Sequence, residues 1–166
     1  MLGLDEVFRG RGAQLRVAEY MAGKGIGVDD SGSLVCAGVE LKHNSLAKVL
    51  SVDRRVVNST IETILGDERL SKIFKSLDST VYLRDTAPLL GFGVFEVVPS
   101  DAAAKGIVAG VTKVLIEEGL GIRQLVADDP MFDNPELTVV TDKPIDKKLL
   151  DRLLRVEGVK EIVVLN

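Results

Sequence analysis

The stretch FGVFEVV, residues 92–98, opens the part of this 166-residue chain whose pattern decides the fold. Its length and its nearly continuous apolar character predict a buried strand. A helical pattern follows over residues 102–118 and ends at Gly119 and Gly121. Three further strands are predicted at 122–127, 137–141 and 159–165, with a second helix at 147–156. The order strand, helix, strand, strand, helix, strand is that of the split βαβ, or ferredoxin-like, unit.

The N-terminal half is predicted to be a helical domain that contains a β-hairpin. Its predicted elements are a helix at 13–23, two strands at 26–29 and 34–41, a helix pair at 44–66 and a helix at 70–77. A short β-type run at 81–83 leads into Pro88. The segment 78–90 is predicted to be a linker, because Pro88 and the glycines at 91 and 93 interrupt regular structure. The predicted fold class is therefore α+β, with one domain at 1–85 and a second at 86–166.

The helix pair at 44–66 reads NSLAKVLSVDRRVVNSTIETILG. Asn44 or Ser45 is expected to cap its first helix, and Asp53 is expected to cap its second. In the second helix the apolar side chains fall on one face, at Val57, Ile61, Ile64 and Leu65. Four polar side chains fall away from that face, at Arg54, Arg55, Asn58 and Glu62.

A short helix, a tight turn and a second helix with basic and amide groups on its open face are typical of a helix-turn-helix. Arg54, Arg55, Asn58 and Glu62 are therefore the predicted DNA-binding residues. Residues 1–86 carry 12 basic and 12 acidic side chains, however, whereas a DNA-binding domain is usually basic overall. A protein-contact role for the same surface therefore stays open beside DNA binding.

Composition excludes several classes of protein. The net charge of −4 shows that the chain is no polycation, and Cys36 is the only cysteine. A single cysteine rules out an intramolecular disulfide framework and suits a reducing compartment. The opening MLGLDEVFRGRG has charges where a secretion signal needs an apolar core, and no apolar run approaches the ~20 residues of a membrane span. We therefore expect a cytoplasmic protein with no membrane partner.

The residues that usually carry enzyme chemistry are sparse. His43 is the only histidine, so a His-cluster metal site cannot be built. The acidic loop with Asp128, Asp129, Asp133 and Glu136 lacks the spacing of a calcium loop and is interpreted as a solvated connection. No stretch combines an acid, a base and a nucleophile. We expect a protein that is not an enzyme and needs no cofactor or metal.

The turn PSDAAAKG, residues 99–106, joins the first strand to the first helix of the C-terminal half. A helix N-terminus offers unpaired N–H groups and a positive dipole end to a carboxylate. Gly106 allows close approach of a small ligand, and Asp101 can receive an ammonium group. The turn is therefore matched to an amino acid, although Ser100 or Asp101 could equally be only a helix cap.

Residues 90–166 resemble the ACT domain, the small-molecule regulatory module of amino-acid metabolism. The resemblance depends on the element order, on KGIV at 105–108, and on VEGVKEI at 156–162. Lys105 stands where the family often has proline. The whole chain resembles the archaeal predicted regulators of amino-acid metabolism through VDRRVV at 52–57, TIETI at 60–64 and DDPMFDNPEL at 128–137. That resemblance implies an N-terminal helix-turn-helix-like part joined to a C-terminal ACT domain.

From the turn and the resemblance together we expect an amino-acid site formed by residues of two chains. One chain supplies Ser100, Asp101, Lys105, Gly106 and Ile107, and a partner chain supplies Gln124 and Val126. The ACT resemblance and the exposed sheet edges of such a unit also predict a homodimer or a higher even oligomer.

The expected function is that of an amino-acid-responsive transcriptional regulator. One alternative is a non-enzymatic regulatory subunit that binds an amino acid and docks on a metabolic enzyme. A third is an ACT domain used only for assembly, without a ligand.

Overall fold

The computed structural model describes residues 3–130 and 134–165. The chain divides into two compact units, Met1–Val81 and Tyr82–Asn166. The described residues form a mixed α+β structure with seven α-helices and two antiparallel sheets. No helix within the described residues has both the length and the apolar character needed to cross a bilayer. Each unit encloses its own apolar core.

The N-terminal unit surrounds a small sheet with helices. Its elements are α1 Leu4–Val7, α2 Gly12–Gly23, β1 Gly27–Val28, β2 Leu34–Cys36, β3 Val39–Leu41, α3 His43–Val49, α4 Arg54–Gly66 and α5 Glu68–Lys75. The three strands pair antiparallel in the order β1-β2-β3. The core is formed mainly by fully buried side chains of α2, α4 and α5, among them Val17, Met21, Val57, Ile64, Leu70 and Phe74.

The single strand predicted at 34–41 is wrong, because two strands occupy this stretch. Ala37 and Gly38 have φ values of 49° and 78° and reverse the chain between β2 and β3. Two consecutive residues with positive φ are what a tight hairpin requires. Alanine rarely adopts this conformation, so the sequence did not indicate a turn at Ala37.

The helix pair is present, with its first cap misplaced. The helix α3 begins at His43 after Lys42, which makes no side-chain cap bond, so the predicted caps Asn44 and Ser45 are wrong. Ser51, with φ of 52°, ends the first helix. The Asp53 cap is confirmed, because Asp53 Oδ1 accepts a hydrogen bond of 2.8 Å from the Arg55 backbone N–H.

The C-terminal unit contains the six predicted elements in the predicted order. They are β4 Gly93–Pro99, α6 Ile107–Glu117, β5 Ile122–Ala127, β6 Leu137–Thr141, α7 Lys147–Leu153 and β7 Val159–Leu165. The predicted bounds of β5, β6 and β7 are confirmed. The four strands form an antiparallel sheet in the order β5-β6-β4-β7. Both helices contribute to one core against one sheet face, with Phe95, Val97, Val111, Leu115, Leu149 and Leu153 at its centre.

The start of α6 differs from the prediction by five residues, because the helix begins at Ile107 and not at residue 102. Gly106 precedes it with φ of 100°, a left-handed conformation that interrupts any helix running in from the alanines. Ser100 and Asp101 are therefore not caps of this helix. Ser100 N–H donates to the Gly158 carbonyl over 2.9 Å, and Asp101 Oδ1 accepts from the Ala103 N–H over 2.9 Å.

The second face of the sheet is covered by residues 82–92, which we call the cover segment. The β-type run predicted at 81–83 is wrong, since the segment contains only a short 3₁₀ helix, Pro88–Leu90. Its Ala87 is fully buried in a cluster with Val94 of β4 and Val140 of β6. A stretch expected to be a linker therefore packs as part of the C-terminal unit.

The Asp53 cap gives a direct test of the helix pair. Asp53→Ala should lower the unfolding free energy of the N-terminal unit by about 1 kcal/mol, because one N–H of the first turn of α4 loses its acceptor. Urea denaturation followed by circular dichroism measures the loss. Asp53→Asn keeps an acceptor oxygen but loses the ion pair with Arg55. An equal loss in both variants would show that the ion pair, and not the cap, stabilises this site.

Candidate functional site

The C-terminal unit contains a pocket of about 120 Å³ at one end of its sheet. Its walls come from the end of β4, the loop that leads into α6, and the connection between β5 and β6. The lining is mostly apolar and comprises Val97, Pro99, Ala102, Ala104, Gly106, Ile107, Val108, Ala127, Asp128, Pro135, Glu136 and Leu137. Such a concave apolar surface with a few polar groups is the usual form of a small-molecule site.

Two of the seven predicted ligand residues, Gly106 and Ile107, line this pocket. Ser100 lies beside it and is held against the Gly158 carbonyl through both its N–H and its hydroxyl. The Asp101 carboxylate closes a local turn with Ala103. Lys105 is exposed. Within one chain, therefore, the predicted set is only partly brought together at the pocket.

The two residues assigned to a partner chain lie on β5, away from the pocket. Gln124 Oε1 accepts a hydrogen bond of 2.8 Å from the Leu83 N–H of the cover segment. Val126 is paired in register with Thr138 of β6. Gln124 Oε1 is thus engaged within its own chain, and the two-chain site stays a prediction.

Gly106 is present for its backbone conformation. A Cβ built on it would meet nothing within 4 Å, so the side chain itself would have room. With φ of 100°, however, any other residue is strained there. A valine at position 106 would consequently disturb the loop as well as any ligand, and other pocket residues make cleaner probes.

Two carboxylates, Asp128 and Glu136, stand where β5 and β6 enter their connecting loop. Asp128 N–H donates to the Glu136 carbonyl over 2.9 Å, and Asp128 Oδ2 accepts from the Glu136 N–H over 3.2 Å. Asp133 of the acidic loop, and residues 131–133 of the DDPMFDNPEL segment, lie outside the described residues. Within the described ranges no group of three or more His, Cys, Asp or Glu side chains is placed to hold a metal ion.

A buried charge pair beneath the cover segment was not predicted from the sequence. Glu96, in the middle of the FGVFEVV run, is only 5% exposed and forms an ion pair with Arg84 of the cover segment. The Glu96 carboxylate raises the pKa of Arg84 above its ordinary value. The sequence could have indicated this pair, because Glu96 is a lone acidic residue in an apolar run and a buried carboxylate needs a partner.

Glu136 lies beside this pair, and the pKa of its carboxyl is raised. Burial is the main cause, and the neighbouring negative charge of Glu96 is the second. Two close carboxyl groups disfavour simultaneous ionisation, which is consistent with the direction of the shift.

The predicted DNA-binding residues have different environments on α4. Arg54 and Glu62 are exposed. Arg55, whose side chain is 90% exposed, pairs with Asp53 at 3.1 Å, and this hydrogen-bonded pair lowers the pKa of Asp53. Asn58 is half-buried, and its Oδ1 lies 2.8 Å from His43 Nδ1.

His43 joins three parts of the N-terminal unit. Besides Asn58 on α4, its ring contacts the Gly32 carbonyl through Nε2 at 3.2 Å, and the residue itself begins α3. Asn58 therefore helps to hold the helix pair to the turn between β1 and β2. A contact from its Oδ1 or amide to a base edge would compete with this internal bond.

Comparisons with known proteins identify no family. No protein-family model matches the chain, and no curated protein matches it. Among solved structures, the crystal structure of PH0061 aligns with 93% of this chain and 90% of its own, at 12% sequence identity and a TM-score of 0.30. A similarity of this strength supports no conclusion about function.

The raised pKa of Glu136 predicts a pH-dependent stabilisation. Glu136→Gln should increase the melting temperature of the C-terminal unit at pH 7, because glutamine keeps the neutral form that the site favours. The wild type gains stability as the pH falls through the raised pKa, so the difference should vanish below about pH 4, near the ordinary glutamate pKa. Thermal melts from pH 3.5 to 8 measure it. Glu161→Gln, on an exposed part of β7, is the matched control.

Proposed function

We propose that this protein is an amino-acid-responsive regulator whose C-terminal unit is an ACT-type domain of ferredoxin-like topology. The sheet order β5-β6-β4-β7, with α6 and α7 packed on one face, supports the topology, because a split βαβ unit places its first and third strands side by side at the centre. The resemblance at KGIV and VEGVKEI supports the ACT assignment.

The observation that carries the proposal is the pocket at the N-terminal end of α6. Ile107 and Val108, in the first turn of this 11-residue helix, form part of its lining. The first N–H groups of a helix have no partner within it, and together with the helix dipole they favour the carboxylate of an amino acid. The exposed Asp128 carboxylate offers a counter-charge to the ammonium group.

The apolar walls and the small volume favour a compact aliphatic side chain. Val97, Ile107 and Leu137 line the inner part of the pocket, and Ala102, Ala104 and Ala127 complete the walls. Burial of an aliphatic group against such side chains is favourable at about 25 cal/mol per Å² of apolar area. Specificity would then come from pocket size, which discriminates poorly between side chains that differ by one methylene.

The N-terminal unit is proposed to present its helix pair to DNA in a homodimer or higher even oligomer. Exposed Arg54 at the first position of α4 supports this role. An amino acid that binds one arrangement of the dimer more tightly would shift the population toward that arrangement and so change how the two helix pairs are presented.

A docking subunit for a metabolic enzyme is the second candidate. It is favoured by the internal engagement of Asn58 and by the balanced charge of residues 1–86. The two candidates share the ligand pocket and differ in the partner of the N-terminal unit. Experiments on the two units therefore test them separately.

The ligand pocket is tested by two neighbouring alanines. Ala104 lines the pocket, whereas exposed Ala103 does not. In a thermal-shift screen of the twenty amino acids, at least one should raise the wild-type melting temperature by mass action. Ala104→Leu should reduce calorimetric affinity for that amino acid at least tenfold by filling the pocket, and Ala103→Leu should leave it within twofold. An unchanged affinity in Ala104→Leu would place the ligand elsewhere, and the absence of any stabilising amino acid would favour a domain used only for assembly.

The DNA-binding role is tested by comparing Asn58→Ala with His43→Ala. Both variants remove the bond between His43 and Asn58, and His43→Ala also removes the ring contact with the Gly32 carbonyl, so His43→Ala should lose at least as much unfolding free energy. If Asn58 reads a base, only Asn58→Ala should also lose specific affinity, by roughly 1–3 kcal/mol. Fluorescence anisotropy with selected genomic fragments at low salt measures both. A wild-type protein that selects no fragment and co-purifies with a biosynthetic enzyme would show that the docking subunit is correct.

A further inference from the structure

The N-terminal unit contains a second concave surface, of about 400 Å³, of which the proposed function uses only Arg54. It lies between the β1–β2 turn, the connection from β3 to α3, and the start of α4. The polar side chains on it are Ser31, Ser33, Glu40, Lys42, His43, Asn44 and Arg54. Unlike the pocket beside α6, this one is lined largely by polar and charged groups.

Two cationic side chains face this concavity without an internal counter-ion. Lys42 and Arg54 form no ion pair with any of the residues that the structure describes. The Asn44 side chain likewise has no hydrogen bond within those residues. Arg55, one position further along α4, is by contrast paired with Asp53. The unpaired donors therefore converge on the concave surface, at residues distant in sequence.

The β1–β2 turn, which forms the wall opposite these donors, is ordered by its own hydrogen bonds. Asp29 Oδ1 accepts from the Ser31 N–H and the Ser33 N–H, each at 2.9 Å, and from the Ser31 hydroxyl at 2.7 Å. His43 fixes the same turn from the other side through the Gly32 carbonyl. These bonds order the turn before any ligand arrives, which lowers the entropic cost of binding.

We propose that this surface binds a phosphate group. Arginine and lysine are the side chains best suited to phosphate oxygens, and the asparagine amide supplies neutral donors beside them. Glu40 also lines the concavity and accepts a weak bond of 3.4 Å from the Ser33 hydroxyl. Its charge opposes an anion, so the affinity for free phosphate is modest, in the millimolar range that a few charge-assisted bonds support.

The source of the phosphate is either a free ion or the backbone of a nucleic acid. Both present the same oxygens to Lys42 and Arg54. The position of Arg54 at the start of α4 is compatible with a duplex, but the site does not depend on the amino-acid pocket or on base reading. Binding of the free ion can therefore be tested apart from the proposed function, whereas the duplex source rests on the proposed DNA role of Arg54.

The first experiment titrates the full-length protein with sodium phosphate at pH 7.5 and constant ionic strength, and follows backbone amide shifts by NMR. Saturable shifts are expected at residues 31–33 and 42–44. Lys42→Gln and Arg54→Gln should each weaken binding about fivefold or more, since each removes a charge-assisted contact. Glu40→Gln should tighten binding by removing the opposing charge. Lys48→Gln, which removes a charge of the same kind from α3 outside the concavity, should leave the affinity within a factor of two.

Thermal melts of each variant first establish that the fold is retained, as expected for exposed side chains. The proposal is overturned if no saturable shift occurs up to about 50 mM phosphate, or if Lys48→Gln weakens binding as much as Arg54→Gln. The latter result would mean that only overall charge matters.

A second experiment identifies the source. The group is a backbone phosphate if a DNA duplex shifts the same amides and displaces inorganic phosphate. The log–log slope of duplex affinity against salt concentration should then fall by about 0.9 in Arg54→Gln but not in Lys48→Gln. If phosphate binds and a duplex at low salt neither displaces it nor shifts those amides, the natural ligand is a free phosphate or phosphate ester.

Discussion

The C-terminal unit depends on the need to bury both faces of its two central strands. Every residue of β6 is buried, and so are the first five residues of β4. A strand that is apolar on both faces is stable only when both faces are covered, because exposed apolar area is costly in water. The helices α6 and α7 cover one face through Phe95 and Val97. The cover segment is packed on the other, and its Arg84 forms an ion pair with the buried Glu96 of β4.

The same requirement explains how far the sequence could predict this fold. Strands β5, β6 and β7 are bounded by glycine, proline or acidic residues, so their limits were readable from local pattern. The cover segment was interpreted as a linker, because its contacts are non-local: Leu83 bonds to Gln124, 41 positions away, and Tyr82 lies 2.6 Å from Thr138, 56 positions away. Local periodicity contains no information about such pairs.

The candidate site shows the same division between local and distant information. Gly106 and Ile107 were predicted from the turn itself, and they line the pocket. The alanines at 102–104 have high helix propensity, so the start of α6 was predicted too early. Propensity is a weak preference, and the left-handed conformation of Gly106 overrides it. The opposite wall, with Ala127, Asp128, Glu136 and Leu137, is distant from the turn in sequence and is brought to it by the pairing of β4, β5 and β6. Likewise, the helical periodicity placed Asn58 on the open face of α4, but in the structure its Oδ1 is bonded to His43 at the start of α3.

The covering of the second sheet face also affects how the chain can be divided into fragments. A cut at the boundary predicted from composition, between residues 85 and 86, would leave Tyr82, Leu83 and Arg84 behind. Glu96 would then remain in an apolar sheet without its cation, and the loss of one partner from a buried ion pair typically costs 3–5 kcal/mol, somewhat less where the cation is partly exposed. The hydroxyl of Thr138 and the amide of Gln124 would lose their partners in the same cut. An isolated C-terminal fragment should therefore begin no later than Tyr82 if it is to retain the native sheet.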